Sequence, residues 1–208
     1  MRSAPRHADG RRTPPLLGLV LAGGHSRRFG RDKAGIVVDG QVLLDRVVAF
    51  CEAVCERVFV SVRADQVGES LRKRYALIVD RRPGYGPAAG ILAAQAHAPA
   101  AAWFVTACDM PLLDEASIHA LTDMRRSDKG GTCYRNPVDG LPEPLCAVWE
   151  PATLERFRQR AESGGSLSPR DMLAETDIEI IDAKDDRVLT NVNTQADFDQ
   201  LGLGEPGH

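Results

Sequence analysis

The chain has 208 residues, of which 43% are apolar and 26% charged, and its formal net charge is −3. That length carries one substantial core, while so small a net charge, with no long basic block interleaved with aromatics, excludes a nucleic-acid partner bound by bulk electrostatics. Nothing in the chain suggests a membrane, and five cysteines, odd in number and without CxxC spacing, fit a reducing cytoplasm better than secretion.

Residues 1–15, MRSAPRHADGRRTPP, are rich in Arg and Pro, lack the apolar core of a signal peptide, and read as a flexible basic tail. A single domain is expected over 16–202, with 203–208 as a short C-terminal tail. The continuous apolar run LLGLVLA (16–22) predicts a central strand buried on both faces. After the loop, GIVVDGQ predicts a short strand with an Asp-Gly turn, and 42–55 has helical spacing that puts Cys51 and Cys55 one turn apart on a buried face. RVFVSVR (57–63) is the second long strand, QVGESLRKRY a short helix, and ALIVD (76–80) a third strand ending on Asp80.

Beyond the turn RRPGYGP, residues 88–98 predict a small-residue helix and AAWFVTACD (101–109) a fourth long strand ending on Asp109. Asp114 has the chemistry of an N-cap for a helix through about Arg126. GTCYRN, PLCAVW and IEIID are expected strands; TLERFRQRAE and TQADFDQLG are expected helices. Strands and helices in turn predict a three-layer, Rossmann-like α/β fold with a mostly parallel sheet. In such a fold the ligand lies outside the carboxyl ends of the strands. The Gly23-Gly24 pair, Asp80 and Asp109 all fall there.

The stretch LAGGHSRRFGRDK (21–33) joins small residues to four cations, Arg27, Arg28, Arg31 and Lys33. Glycines let backbone amides close on an anion without Cβ obstruction, and the cations can neutralise a phosphate. The spacing is neither GxxxxGK[ST] nor GxGxxG, so a P-loop NTPase and a dinucleotide-binding Rossmann domain lose support. Composition alone fits a solvated basic turn equally well. Asn191 and Asn193 flank one valine on extended chain and would face the same way. They could bind a pterin or a phosphate, or form the entry turn of the last helix, where Thr194 is a good N-cap. The turn LPEPLCAVW (141–149) and the loop GGSLSPRDML (164–173) could line a second-substrate pocket or be ordinary connectors.

The string LAGGxSxRxGxDK resembles the signature of small nucleotidyltransferases, specifically the molybdenum cofactor guanylyltransferases. Asp80, GPAAGI (86–91), ACDMPLL (107–113) and NVNTQADF (191–198) follow in the same order, so the likeness spans nearly the whole chain after the tail. Phe29 stands where methionine is usual, and Ser61 where some members place an asparagine. Gly24 and Asp109-Met110-Pro111 favour the guanylyl over the cytidylyl members.

The resemblance implies GMP transfer from GTP to the phosphate of a molybdopterin-type cofactor, with Mg2+ as the metal. It assigns Leu21, Ala22, Gly23, Gly24, Ser61, Asp80, Gly86, Pro87 and Gly90 to the nucleotide. Arg28, Lys33 and Asp109 take catalytic roles, Asp109 also as metal ligand, and Asn191 and Asn193 go to the second substrate. Transient contact with other proteins of cofactor biosynthesis would fit this role. Two other readings are open to the sequence: nucleotidyl transfer from CTP or another triphosphate to a sugar phosphate or other small phosphate, and a binding module that holds nucleotide without transfer.

Overall fold

A computed structural model describes residues 13–24, 29–30 and 32–203. Its central strand β1 (Leu16–Leu21) lies between β4 (Arg57–Arg63) and β6 (Ala102–Ala107), both parallel to it. The seven-stranded sheet runs β5-β4-β1-β6-β8-β7-β9, where β5 is Leu77–Asp80, β7 Gly131–Arg135, β8 Pro142–Trp149 and β9 Glu179–Ile181. β8 alone opposes its neighbours, pairing antiparallel with both β6 and β7. The mostly parallel sheet expected from the continuous apolar runs is what forms.

Alternation along the strands divides the core into two faces. Val20, Val60 and Phe104 pack beneath α1 (Leu43–Val54) and α3 (Glu115–Asp123), whereas Leu19, Phe59 and Val105 pack beneath α2 (Pro87–His97), α4 (Pro151–Glu162) and α5 (Pro169–Ala174). The result is three layers. Trp103 and Trp149, both fully buried, face each other across β6 and β8, and Trp149 stacks on Phe157. Burial of such side chains contributes about 1.5–3 kcal/mol each, which makes this pair a main anchor of the second half of the chain.

GIVVDGQ forms a two-stranded hairpin, β2 (Val37–Val38) and β3 (Gln41–Val42), whose turn uses Asp39 and Gly40 at positive φ. Asp114 does cap α3, accepting from the Ser117 amide at 2.7 Å, but α3 ends at Asp123 rather than near Arg126. Arg125 leaves the helix to pair with the buried Glu150 at 2.6 Å. The helix expected over QVGESLRKRY is absent: that stretch holds only the last residue of a 3-10 turn at Ala64–Gln66 and a second 3-10 turn at Arg72–Arg74. All five cysteines are buried free thiols. Among the described residues no helix is long and apolar enough to cross a membrane. α6 (Gln195–Gln200) closes the chain, capped reciprocally by Thr194 and Asp197.

Candidate active site

The strand order fixes where a ligand belongs. The chain passes from β1 outward to β4 and β5, then crosses back to β6 on the other side of β1, so the order reverses between β1 and β6. In open α/β sheets the crevice that takes a ligand lies outside the carboxyl ends of the strands at such a point. The loop after β1 holds the glycine pair and Lys33, and the loop after β6 holds Asp109, two residues beyond the strand.

Lys33 and Asp109 meet in that crevice. The Lys33 Nζ donates to Asp109 Oδ2 at 2.7 Å and to the Val192 carbonyl at 2.9 Å, and reaches Asn193 Oδ1 at 3.5 Å. The Val192 amide in turn donates to the Asp109 carbonyl at 2.9 Å, which ties the segment before α6 to the end of β6. Asp197 accepts from the Asn193 and Thr194 amides at 2.9 and 2.8 Å, fixing the turn that presents Asn193. The ion pair is partly sheltered, with side chains 13% and 23% exposed, so solvent screens it less than a surface pair. Among the described residues Asn191 makes no hydrogen bond to Lys33 or Asp109.

The side of the crevice between β1, β4 and α2 is built by close packing. A Cβ placed on Gly90 would lie 2.5 Å from Ser61 Oγ and 2.6 Å from Leu21 Cδ2, so only glycine lets α2 approach β1 and β4 this closely. Gly86 precedes α2 at φ +54°, a conformation that favours glycine, and Pro87 takes the first helical position. Ser61 is 3% exposed, packed under Gly90. Gly90→Ala is therefore expected to destabilise the protein by about 1–3 kcal/mol through overpacking. Urea denaturation read by circular dichroism checks this; an unshifted midpoint contradicts it.

Asp80 ends β5, in register with Arg63 of β4. Burial pushes its carboxyl above the usual range, against the opposing pull of the Arg82 amide and the Arg63 guanidinium. With the folded value raised, stability falls as pH rises from the unfolded value through the folded one. At neutral pH the ionised Asp80 thus costs stability.

Cys108, next to Asp109, is a different case. Burial, and then the Asp109 charge, push its thiol up to about 12, so it offers no nucleophile at neutral pH. Asp32, beside Lys33, goes the other way: burial raises its carboxyl, but the Arg72 guanidinium and the Ala34 amide together outweigh that and leave it below the usual carboxylate range.

Around the glycine pair, Ala22 donates its amide to the Ser61 carbonyl at 3.0 Å, and Gly24 lies exposed. A Cβ on Gly24 would meet none of the described atoms within 4 Å. Phe29, buried at 5% exposure, anchors the far side of the loop edge-to-face on Phe198 of α6. Arg28, assigned a catalytic role on the sequence, lies outside the described residues.

The crevice thus brings together Lys33, Asp109 and Asn193 in one cluster, and Leu21, Ser61 and Gly90 in another. Two residues that the sequence did not single out, Arg63 and Arg72, complete it, together with Asp32, a signature position with no role assigned on the sequence. Arg63 donates to the Gly23 carbonyl, while Arg72 bridges the Ala22 carbonyl and Asp32. Nothing in the spacing of RKRY distinguishes an inward arginine from a solvated one.

Asp109 supplies a carboxylate in contact with Lys33, and among the described residues no group of three His, Cys, Asp or Glu side chains could hold a metal ion by itself. A carboxylate and an amide oxygen on either side of an ammonium fit a hard cation that takes its remaining ligands from phosphate and water.

A model of the MobA-like NTP transferase domain matches residues 18–179. A probable molybdenum cofactor guanylyltransferase of Mycobacterium avium is 35% identical over 191 residues, covering 89% of this chain and 94% of that protein. A molybdenum cofactor biosynthesis bifunctional protein of Synechocystis is 34% identical over 187 residues; the match covers 90% of this chain and 54% of that protein, so the chain spans about half its length. Among solved structures, molybdopterin-guanine dinucleotide biosynthesis protein A of Archaeoglobus fulgidus superposes with a TM-score of 0.71 at 23% identity, covering 88% of this chain and 95% of that one. At that identity the likeness is one of fold.

Proposed function

The chain belongs to the MobA-like NTP transferase domain family, and on that premise we propose that it transfers GMP from GTP to the phosphate of a molybdopterin-type cofactor, releasing pyrophosphate. The observation that carries this reading is the 2.7 Å contact between Lys33 and Asp109 at the point where the strand order reverses. Phosphoryl chemistry asks a protein for alignment and for charge opposite the phosphates, and the crevice offers both. The names of the mycobacterial and Synechocystis relatives support the guanylyl and molybdenum-cofactor assignments.

In this mechanism the acceptor phosphate oxygen attacks the α-phosphorus of GTP and the bond to pyrophosphate breaks. Lys33 neutralises the triphosphate as a point charge, exchanging its contact with Asp109 for phosphate oxygens. Arg28 assists the leaving pyrophosphate. The amides of Gly23 and Gly24 face the phosphates, Asp80 accepts from guanosine, and Gly86, Pro87 and Gly90 shape the wall beside the base, with Leu21, Ala22 and Ser61 beneath. Asp109 and Asn193 are the residues that would hold a magnesium ion, which when bound supplies positive charge to the phosphates. Asn193 and Asn191 face the acceptor. The transfer is direct from GTP to the acceptor, and the protonated Cys108 thiol takes no part as a nucleophile. Five buried free thiols agree with action in the cytoplasm.

The test is pyrophosphate release with each of the four ribonucleoside triphosphates, magnesium and molybdopterin-cofactor. GTP is expected to be preferred and a chelator to abolish release. A preference for CTP overturns the guanylyl assignment, and turnover with a sugar phosphate but not with molybdopterin overturns the acceptor.

A further inference from the structure

Arg72 is the most deeply buried cation of the described chain, with a side chain only 1% exposed, and its partners are the two stems of the glycine loop. Its Nε and one terminal nitrogen donate to the Ala22 carbonyl at 3.1 and 2.8 Å, where the loop begins. The same guanidinium grips Asp32, where the loop ends, in a two-pronged contact at 2.6 and 2.9 Å. Asp32 also accepts from the Ala34 amide at 3.2 Å, which caps the 3-10 turn that starts with Lys33. Glu69 accepts from Arg72 as well, holding the guanidinium in place from its own segment. Arg63 repeats the pattern one residue further on, donating to the Gly23 carbonyl while Asp65 accepts from its other nitrogens at 3.0 and 2.9 Å.

These contacts fix the direction of the next two amides. In a planar trans peptide the N–H points opposite to the C=O. Holding the Ala22 and Gly23 carbonyls toward the two arginines therefore turns the Gly23 and Gly24 N–H groups away from them, and so away from the β4–β5 side of the sheet. Each guanidinium neutralises carbonyl dipoles that would otherwise repel an approaching polyanion.

We propose that Arg72, seconded by Arg63, is a positioning residue for the triphosphate: it staples the entry and exit of the glycine loop, aims the Gly23 and Gly24 amides, and sets the stem from which Lys33 reaches Asp109. Arg72 is too buried to touch the substrate, and its effect is confined to the phosphate half of the nucleotide. The choice of GTP as probe rests on the function proposed above, whereas the staple itself rests on the contacts just described.

Calorimetric titration of GTP and of guanosine into the full-length protein separates this role from a general structural one. Arg72→Met is expected to weaken GTP binding about tenfold or more, the size expected when a charged hydrogen bond is lost, and to leave guanosine binding unchanged. Arg72→Lys is expected to behave like Met for GTP, because a single ammonium cannot span the Ala22 carbonyl and both Asp32 oxygens. It also serves as the reading if the Met variant fails to fold. Asp32→Asn, which cuts the exit stem alone, should shift the same ratio in the same direction.

Equal losses for GTP and guanosine, or unchanged affinity for both, overturn the proposal. A wild-type protein that binds CTP instead of GTP overturns the nucleotide assignment and not the staple, which is then read from CTP against cytidine.

Discussion

Lys33→Met is expected to lower kcat for pyrophosphate release about 10²–10³-fold, the loss typical of removing one group that meets charge developing in the transition state. The ammonium sits where three oxygens converge, from Asp109, Val192 and Asn193, and its side chain is 13% exposed. Methionine fills a similar volume without the charge, so the fold should survive; thermal unfolding read by circular dichroism verifies that. Lys33→Arg should rescue little. A planar guanidinium is wider than the ammonium and cannot face three oxygens at once from so enclosed a position. Wild-type turnover in Lys33→Met would remove the central cation from the mechanism.

The second large effect belongs to Asp109→Asn. Shape and size are retained while the charge is lost, and kcat is expected to fall about 10²–10³-fold. Binding should move the other way. In the wild-type protein an incoming triphosphate competes with the Asp109 carboxylate for Lys33 at 2.7 Å. An amide competes less well, so GTP binding measured without metal should tighten while turnover collapses. Calorimetry and steady-state kinetics on one preparation read both quantities. Unaltered turnover in this variant would favour a binding protein over an enzyme.

The fold was legible because its strands are buried on both faces and so read as unbroken apolar runs, as in Leu16–Leu21 and Ala102–Ala107. Lys33 and Asp109 lie 76 residues apart in the chain and still meet, because each follows a strand that ends at the same edge. That rule needs no knowledge of side-chain contacts. The segment QVGESLRKRY misled for the opposite reason. Its polar spacing suits a helix, but Arg72 turns inward to the Ala22 carbonyl and Asp32, and this tertiary contact outweighs local preference and keeps the backbone in short 3-10 turns. Periodicity registers apolar burial and is blind to a buried charge. The two asparagines illustrate a finer limit: extended spacing puts both on one side of the buried Val192, but only the turn set by Asp197 decides that Asn193 is the one that reaches Lys33.

The reversal of β8 has a consequence for how this architecture can change. Because that strand runs against β6 and β7, the connection at 136–141 emerges beside the same edge as the loops after β1 and β6. The four strands β5, β4, β1 and β6 form a parallel block of their own, complete without it. Insertions or rewritten residues in the hairpin connection can thus remodel that edge while the parallel block keeps its shape. Variable loops and a constant scaffold can then coexist in one chain, each confined to its own part of the sheet.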